Sequence, residues 1–491
     1  MTFDDKIIEI RKEILNSDYN FLNNHKIINE FVEYDIPINK SIKQRLYQLL
    51  ITYEFNKKIL NFYENKKPFF HPLPSQWIDI LEKNKIKVSI FSSIFFAIFK
   101  IKFFLKAVKV LFLSYYYKEN KINNEFNYIH NLNKNVIKNI NHNNNLFSWF
   151  GKYFNDGVRF YAHDCRSIEK YKIEKLTIIN QNLFCINNIY IFFKFFFLLI
   201  KITLMGIFFY NSLLLLLDEI IKLKIISKKN KNLPNKILFD HSESIFKPLW
   251  TYCLEKKNIK CMVFFYSTNN SPIVFEKNQA DNIASLITHG WELMSWNHYL
   301  VWDEYQLNYF SKYFKINKNY FEISGPIPLE GGIVINQKEK KKLISVFDVT
   351  PFKSEYYKSL GLPLCYYNFE NLKNFYENLS EIIDNNFYQL IFKVKRITKN
   401  TDQNYIKFLK SLESKGFLIY DNASSFDLIK ISTKVISMPF SSTSIIAKYY
   451  NIDTVYFDPA NKLKFLNGYK LFNHGIKILN KEEIKNWLIK N

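Results

Sequence analysis

The stretch KVISMPFSSTSIIAKYYNIDTVYFDP, residues 434–459, decides the fold. Its apolar start reads as a buried parallel strand, and Pro439 ends it. Four hydroxyl residues follow, Ser441, Ser442, Thr443 and Ser444, and then a helical run. TVYFDP (454–459) reads as the next strand, so the segment is a strand–turn–helix–strand unit. The first turn of a helix carries N–H groups without intrahelical partners and a partial positive charge. That combination holds a phosphate or carboxylate. One hydroxyl suffices for an N-cap; four at one strand end favour anion binding over capping.

The same alternation extends outward from this segment. KKLISVFDVTP (341–351), YQLIFKVK (388–395) and FLIYD (417–421) are strand-like, with helical stretches such as NYIKFLKSLESKG between them. Upstream, KILFD (236–240) and KCMVFFYST (260–268) flank a helical IFKPLWTYCLEKKN. FEISGPI (321–327) closes that series at a Ser-Gly-Pro turn. Alternating strands and helices predict parallel sheets covered by helices. The expected division is a Rossmann-like domain over 236–335 and a second over 336–491, facing each other across a cleft. No internal repeat of fixed period is present.

Residues 1–235 read as a helical N-terminal region. Pro37, Pro68, Pro72 and Pro74 punctuate its first part. In 88–117 the chain becomes apolar, and Lys102, Lys106 and Lys109 recur at i, i+4, i+7, on one helical face. Such a stripe suits either an anionic membrane surface or a solvated face of a core helix. Residues 195–217 run for 23 residues with Lys201 as the only charge, enough to cross a hydrocarbon core that needs ~20. The lysines of 222–231 follow, and by the positive-inside rule they put the next domain in the cytoplasm. Membrane association of the segments 88–117 and 190–231, spanning or lying flat, is the expectation. It places the protein at the cytoplasmic face of the inner membrane.

The chain has 491 residues, 48% of them hydrophobic, which excludes a disordered chain. Its net charge of +23 draws anionic partners such as anionic lipid or phosphorylated substrates. No arginine-rich patch interleaved with aromatics and no nucleic-acid-binding motif accompanies that charge, so no nucleic-acid partner is expected. Five scattered cysteines form no CxxC and give neither a disulfide framework nor a structural zinc site. No HExxH, Cys/His ligand set or DxD calls for a metal.

Further candidates sit at strand ends, where α/β sites are built. Lys393, Lys395 and Arg396 close the strand IFKVKR and suit a diphosphate leaving group. Asp240, His241 and Glu243 at the end of KILFD, and Asp303 and Glu304 after LVW, are candidate bases for deprotonating an acceptor hydroxyl, with a surface charge or a helix cap as the alternative for any single carboxylate. Glu243 ranks first and Glu304 second. Asp458 ends a strand on the proposed anion-binding side, with a plain Asp-Pro turn as the alternative, and His474 lies in a loop that could return toward the cleft, with a structural role as its default.

These pieces resemble, in order, the bacterial surface-polysaccharide biosynthesis proteins named for a PFTS motif. The carrying residues are KPLWTYCLEKK, VFFYSTN, MSWNHYLVWDEYQ, ISGPI, VFDVTP and MPFSSTS, across roughly 236–475. Here the motif reads Pro439-Phe440-Ser441-Ser442, with Ser441 where the family name has Thr; the hydroxyl is kept. The resemblance implies a GT-B-like glycosyltransferase, similar to capsule Kdo-transferases and to polymerases that use CDP-glycerol. It implies that Ser441, Ser442, Thr443 and Ser444 face the donor phosphate. The expected activity is metal-independent sugar transfer from a nucleotide-activated donor, a CMP-linked one among the candidates, to a glycan or lipid-linked acceptor. No cofactor is expected beyond the donor substrate. Polyol-phosphate transfer is the runner-up, and a non-catalytic membrane-bound assembly protein is the alternative from another class.

Overall fold

The computed structural model describes residues 3–18, 21, 36–116, 126–130, 148–149, 151–152, 160–162, 171–173, 176–180, 183–208, 211–240, 245–265, 267–268, 273–275, 290–329, 342–351, 364–383, 387–394, 397–398, 400–414, 417–420, 423–439, 441–465 and 474–489. Two parallel sheets organise them. In the C-terminal unit the strands are β10 (Lys342–Phe347), β11 (Tyr388–Lys393), β12 (Leu418–Tyr420), β13 (Lys434–Ser437), β14 (Asp453–Phe457) and β16 (Ile478–Leu479), in spatial order β12-β11-β10-β13-β14-β16. Every pairing among them is parallel. Counted within the unit this is the order 3-2-1-4-5-6 of a doubly wound dinucleotide fold. Strand order reverses between β10 and β13, and the carboxyl ends of strands at such a reversal are where open α/β sheets take ligands. Ile344, Val346, Phe392, Ile436, Val455 and Phe457 are buried because a doubly covered parallel sheet hides both faces.

The N-terminal unit has eight strands in the order β3-β4-β2-β1-β5-β6-β8-β9. They are β1 (Asn127–His130), β2 (Phe160–Ala162), β3 (Tyr171–Ile173), β4 (Leu176–Asn180), β5 (Lys236–Asp240), β6 (Lys260–Phe264), β8 (Tyr299–Val301) and β9 (Phe321–Ile323). All pairings are parallel except β3 against β4. Here the structure differs from the sequence-based division. Strands from 127–180 join the sheet that was expected to begin at 236, with β1 pairing directly with β5. They are three to five residues long and set in Asn-rich chain, too short for periodicity to announce them. A short antiparallel ribbon, β7 (Ile273–Phe275) with β15 (Leu463–Phe465), stitches the two units together.

The helices, in chain order, are α1 (Phe3–Asn16), α2 (Ile38–Leu50), α3 (Tyr53–Asn65), α4 (Ser75–Lys83), α5 (Phe91–Tyr116), α6 (Ile189–Phe208) and α7 (Leu217–Ser227). They continue with α8 (Leu249–Lys256), α9 (Glu304–Phe314), α10 (Phe369–Ile382), α11 (Gln403–Ser414), α12 (Ser425–Ile431), α13 (Ser442–Tyr449) and α14 (Lys481–Ile489). The N-terminal helices share one hydrophobic core with the first sheet, from Ile7 and Leu46 through Ile221 and Trp250 to Phe310. The apolar stretch 195–217 is not one helix. α6 ends at Phe208, and Asn211–Leu216 form a 3₁₀ turn whose Leu213–Leu216 are buried in the core. Hydropathy alone does not separate those core leucines from a lipid-facing run. Among the described residues one helix, Ile189–Phe208, is long and apolar enough to cross a membrane.

Candidate functional site

The reversal point of the C-terminal sheet is where the hydroxyl turn lies. β13 ends at Ser437, and the Met438 N–H bonds Phe347 O (2.8 Å) across to β10. Tyr367 donates its hydroxyl to Pro439 O (2.9 Å), fixing the turn from the α10 side. Ser441 then caps α13, its Oγ accepting from the Thr443 N–H. Thr443 Oγ1 lies 2.6 Å from Ser441 Oγ and 2.8 Å from Ser437 Oγ, so three hydroxyls form a chain at the helix N-terminus. Tyr456, from β14, donates to Ser441 O (3.2 Å). Ser441, Ser442 and Thr443 are half-buried, and Ser442 reaches Thr268 Oγ1 of the other unit at 3.5 Å. A half-buried set of hydroxyls at a helix N-terminus, facing a second unit, can close on an anionic ligand.

Two expected donor residues lie deeper. Ser444 is fully buried and donates to Val455 O (3.4 Å), turned into the sheet rather than toward the crevice. Asp458 is buried too; it accepts from Lys462 N (2.6 Å), Leu463 N (2.7 Å), Ala460 N (3.1 Å) and the Tyr366 hydroxyl (2.6 Å). Its four acceptor positions are filled, and they fix the turn into β15. Burial, with the Asp458 charge beside it, pushes the Tyr366 phenol far up. Lys393 ends β11 in register with Phe347 of β10, at the same edge of the sheet, its Nζ donating to Val394 O (2.9 Å). Lys395 and Arg396 lie outside the described residues.

From the N-terminal unit, Asp303 caps α9, with Oδ1 accepting from Gln306 N–H (2.9 Å). Its Oδ2 sits 2.6 Å from His474 Nδ1, an ion-pair geometry that joins the two units. His474 and Gly475 both take left-handed backbone conformations (φ 51° and 65°). Lys448 of α13 donates to His474 O, and the Tyr305 and His474 rings lie 5.0 Å apart. Glycine suits position 475 because its φ of 65° lies in the left-handed region; the nearest atom to an added Cβ is the mobile tip of Lys448. Burial, and then the Asp303 charge, push the phenol of Tyr456, the tyrosine that holds Ser441, up. Trp302 packs among Ile445, Ile446 and Ile476 of the C-terminal unit, and its Nε1 donates to Phe265 O (2.6 Å).

The structure thus brings Ser441, Ser442, Thr443, Asp303 and His474 to one interface. Glu304 is exposed in the first turn of α9, one residue from Asp303. His241 and Glu243 lie outside the described residues, just beyond β5. Sequence reasoning missed Thr268, although KCMVFFYST ends in a hydroxyl pair at a strand end. It missed the partner of His474 as well, because 171 residues separate it from Asp303.

A family model for polysaccharide biosynthesis PFTS motif proteins matches residues 194–488, more than half of the chain. No curated protein matches in sequence. Among solved structures, the chain is similar to a UDP-GlcNAc 2-epimerase of Methanocaldococcus jannaschii (12% identity, 74% of this chain and 92% of that one, TM-score 0.36). It is similar to an α,α-trehalose 6-phosphate synthase of Burkholderia multivorans (9% identity, 75% and 91%, TM-score 0.36). A third is the wall teichoic acid polymerase TagF (12% identity, 73% and 79%, TM-score 0.34).

Proposed function

The chain belongs to the polysaccharide biosynthesis PFTS-motif family, and from that membership we propose that it is a GT-B-like glycosyltransferase of bacterial surface-polysaccharide synthesis. The observation that carries the reading is the hydroxyl chain Ser437–Thr443–Ser441 at the strand-order reversal, with the adjacent Ser442 reaching Thr268 of the facing unit. A nucleotide-activated sugar binds there with its phosphates on Ser441, Ser442, Thr443 and the first turn of α13. Lys393, at the end of β11, with Lys395 and Arg396 next to it in the sequence, supplies positive charge as the leaving group departs.

The acceptor hydroxyl enters from the N-terminal unit. Its oxygen bonds to the anomeric carbon while the bond from that carbon to the donor phosphate oxygen breaks. The nucleotide leaves with the electron pair, and the proton passes to a carboxylate. Glu243 remains the first candidate for that base and Glu304 the second, with His241 near the former. Asp303 is better suited to positioning, since it already holds the α9 cap and His474. The acceptor is a glycan or lipid-linked glycan, and the enzyme works at the cytoplasmic face of the inner membrane. The exposed apolar faces of α5 and α6 support that location.

The test is turnover: full-length protein, vesicles carrying a lipid-linked glycan acceptor, and each nucleotide-sugar in turn, with nucleotide release and product mass as readouts. Release of nucleotide with a sugar-sized mass gain is expected. A mass gain of a polyol phosphate, or no turnover from folded protein, contradicts sugar transfer.

A further inference from the structure

We infer that α5 and α6 form an antiparallel hairpin that lies in the plane of one leaflet of an anionic membrane and does not cross it. This rests on the membrane location proposed above and specifies its geometry. The Ile186 N–H bonds Ser114 O (2.8 Å), so the end of α5 stands beside the start of α6. Phe112 and Tyr115 of α5 both meet the Phe192 ring, at 5.3 and 5.2 Å. The outward face is apolar along both helices: Ile98, Leu105 and Phe112 on α5 are 53–61% exposed, and Tyr190, Phe197 and Leu204 on α6 are 50–72% exposed. A continuous apolar patch of this kind marks a partner or a membrane.

Charge selects the membrane. At 100° per residue, Lys102 and Lys109 flank the α5 stripe on the side away from Phe112, Tyr115 and hence α6. Lys194 and Lys201 likewise flank the α6 stripe on the side away from Phe192 and α5. An apolar centre bordered by lysines on both edges matches a leaflet of acyl chains under anionic headgroups. Neither helix contains an acidic residue. A second copy of this face would therefore set lysines against lysines.

The inner faces exclude spanning. Both helices pack along α7, whose residues from Leu217 to Ile226 are buried and include Asp218, Glu219, Lys222 and Lys224. Lys106 of α5 binds Asp218 Oδ2 at 2.7 Å, and Glu219 accepts from the Leu249 N–H of α8 (3.2 Å). A hairpin that crossed the bilayer would carry this charged helix and the domain core behind it into hydrocarbon. Lying flat, only the outer face enters, to about 5–10 Å.

The experiment places an amber-encoded fluorophore at Tyr190, Phe197 or Leu204 of the full chain, with vesicles containing 30% anionic lipid. Depth is read by quenching with lipids brominated at different carbons. Similar shallow depths at all three positions are expected. The Lys102→Gln/Lys109→Gln protein should partition about 25-fold more weakly, about fivefold per lysine. Depth that runs through the midplane along α6 overturns the inference in favour of a span. Fluorophores shielded without lipid, with a dimer mass in light scattering, overturn it in favour of a second copy. Fluorophores left in water beside vesicles overturn it outright. No readout requires nucleotide or turnover, so failure of the transfer reading leaves this result intact and separately scored.

Discussion

Replacing Asp218 with Asn should destabilise the N-terminal unit by ~3–5 kcal/mol, the usual cost of breaking a buried ion pair from one side. The carboxylate is fully buried and lies 3.1 Å from Arg45 Nη2 and 2.7 Å from Lys106 Nζ. Burial alone would raise its pKa, but the charges of Arg45, Lys222 and Lys106 outweigh that and hold it below the usual carboxylate range. Arg45 is itself buried, with its guanidinium over the Phe103 and Phe246 rings (5.3 and 4.5 Å). The amide therefore leaves a guanidinium in an apolar site without its counter-charge. Lys106 is different: its side chain is 46% exposed, so Lys106→Met should cost only about 0–1 kcal/mol. Arg45→Met/Asp218→Leu should recover most of the loss, because both charges leave together. Urea titration of the detergent-solubilised chain, followed by tryptophan fluorescence and far-ultraviolet circular dichroism, reads all four proteins. An Asp218→Asn protein within about 1 kcal/mol of the parent, or a Lys106→Met protein equally damaged, refutes the reasoning.

Three further outcomes concern single carboxylates. Burial pushes the Glu292 carboxyl up to about 7, against the opposing pull of a backbone hydrogen bond and Arg11, and Oε2 is buried with no hydrogen-bond partner among the described residues. Its folded pKa is raised, so its contribution is present below pH 4.5 and lost as pH rises through 7; Glu292→Gln should match the parent at pH 4 and exceed it by ~1–3 kcal/mol at pH 8 in thermal or urea melts. Asp458→Asn turns an NH₂ toward backbone N–H donors and should cost ~2–4 kcal/mol, with protease cleavage appearing first near β15. Asp303→Asn keeps an acceptor for the α9 cap but loses the charge facing His474, so hydrogen exchange at residues 474–475 should accelerate while α9 stays protected.

Most of the C-terminal sheet was legible because β10, β12, β13 and β14 are apolar runs that stop at Asp, Ser or Pro, and β11 is an apolar run that stops at lysines; β16, two residues long, carried no such signal. The hydroxyl turn was legible for the same reason, since a strand stop and a helix start bracket it. Which of its hydroxyls face the crevice was not: Ser444 stands one residue beyond Thr443, and the helix turns it onto β14. The small strands β1–β4 gain their stability from sheet neighbours, not from local pattern, so the sequence carried little sign of them. Leu213–Leu217 looked like membrane because burial in a core and burial in lipid select the same residues. The Asp303–His474 contact depends on two domains meeting, which no local signal encodes.

The central claim is donor binding at the hydroxyl turn, and ligand-induced stabilisation tests it most directly. The full chain is melted with CMP-, CDP-, UDP- and GDP-linked ligands, beside Ser442→Ala/Thr443→Ala. At 100 times its dissociation constant a ligand should stabilise by ~2.7 kcal/mol. That shift is expected with one nucleotide class for the parent and none for the double variant at the same concentration. Equal shifts in both proteins, or no shift with any nucleotide from a folded parent, would contradict it.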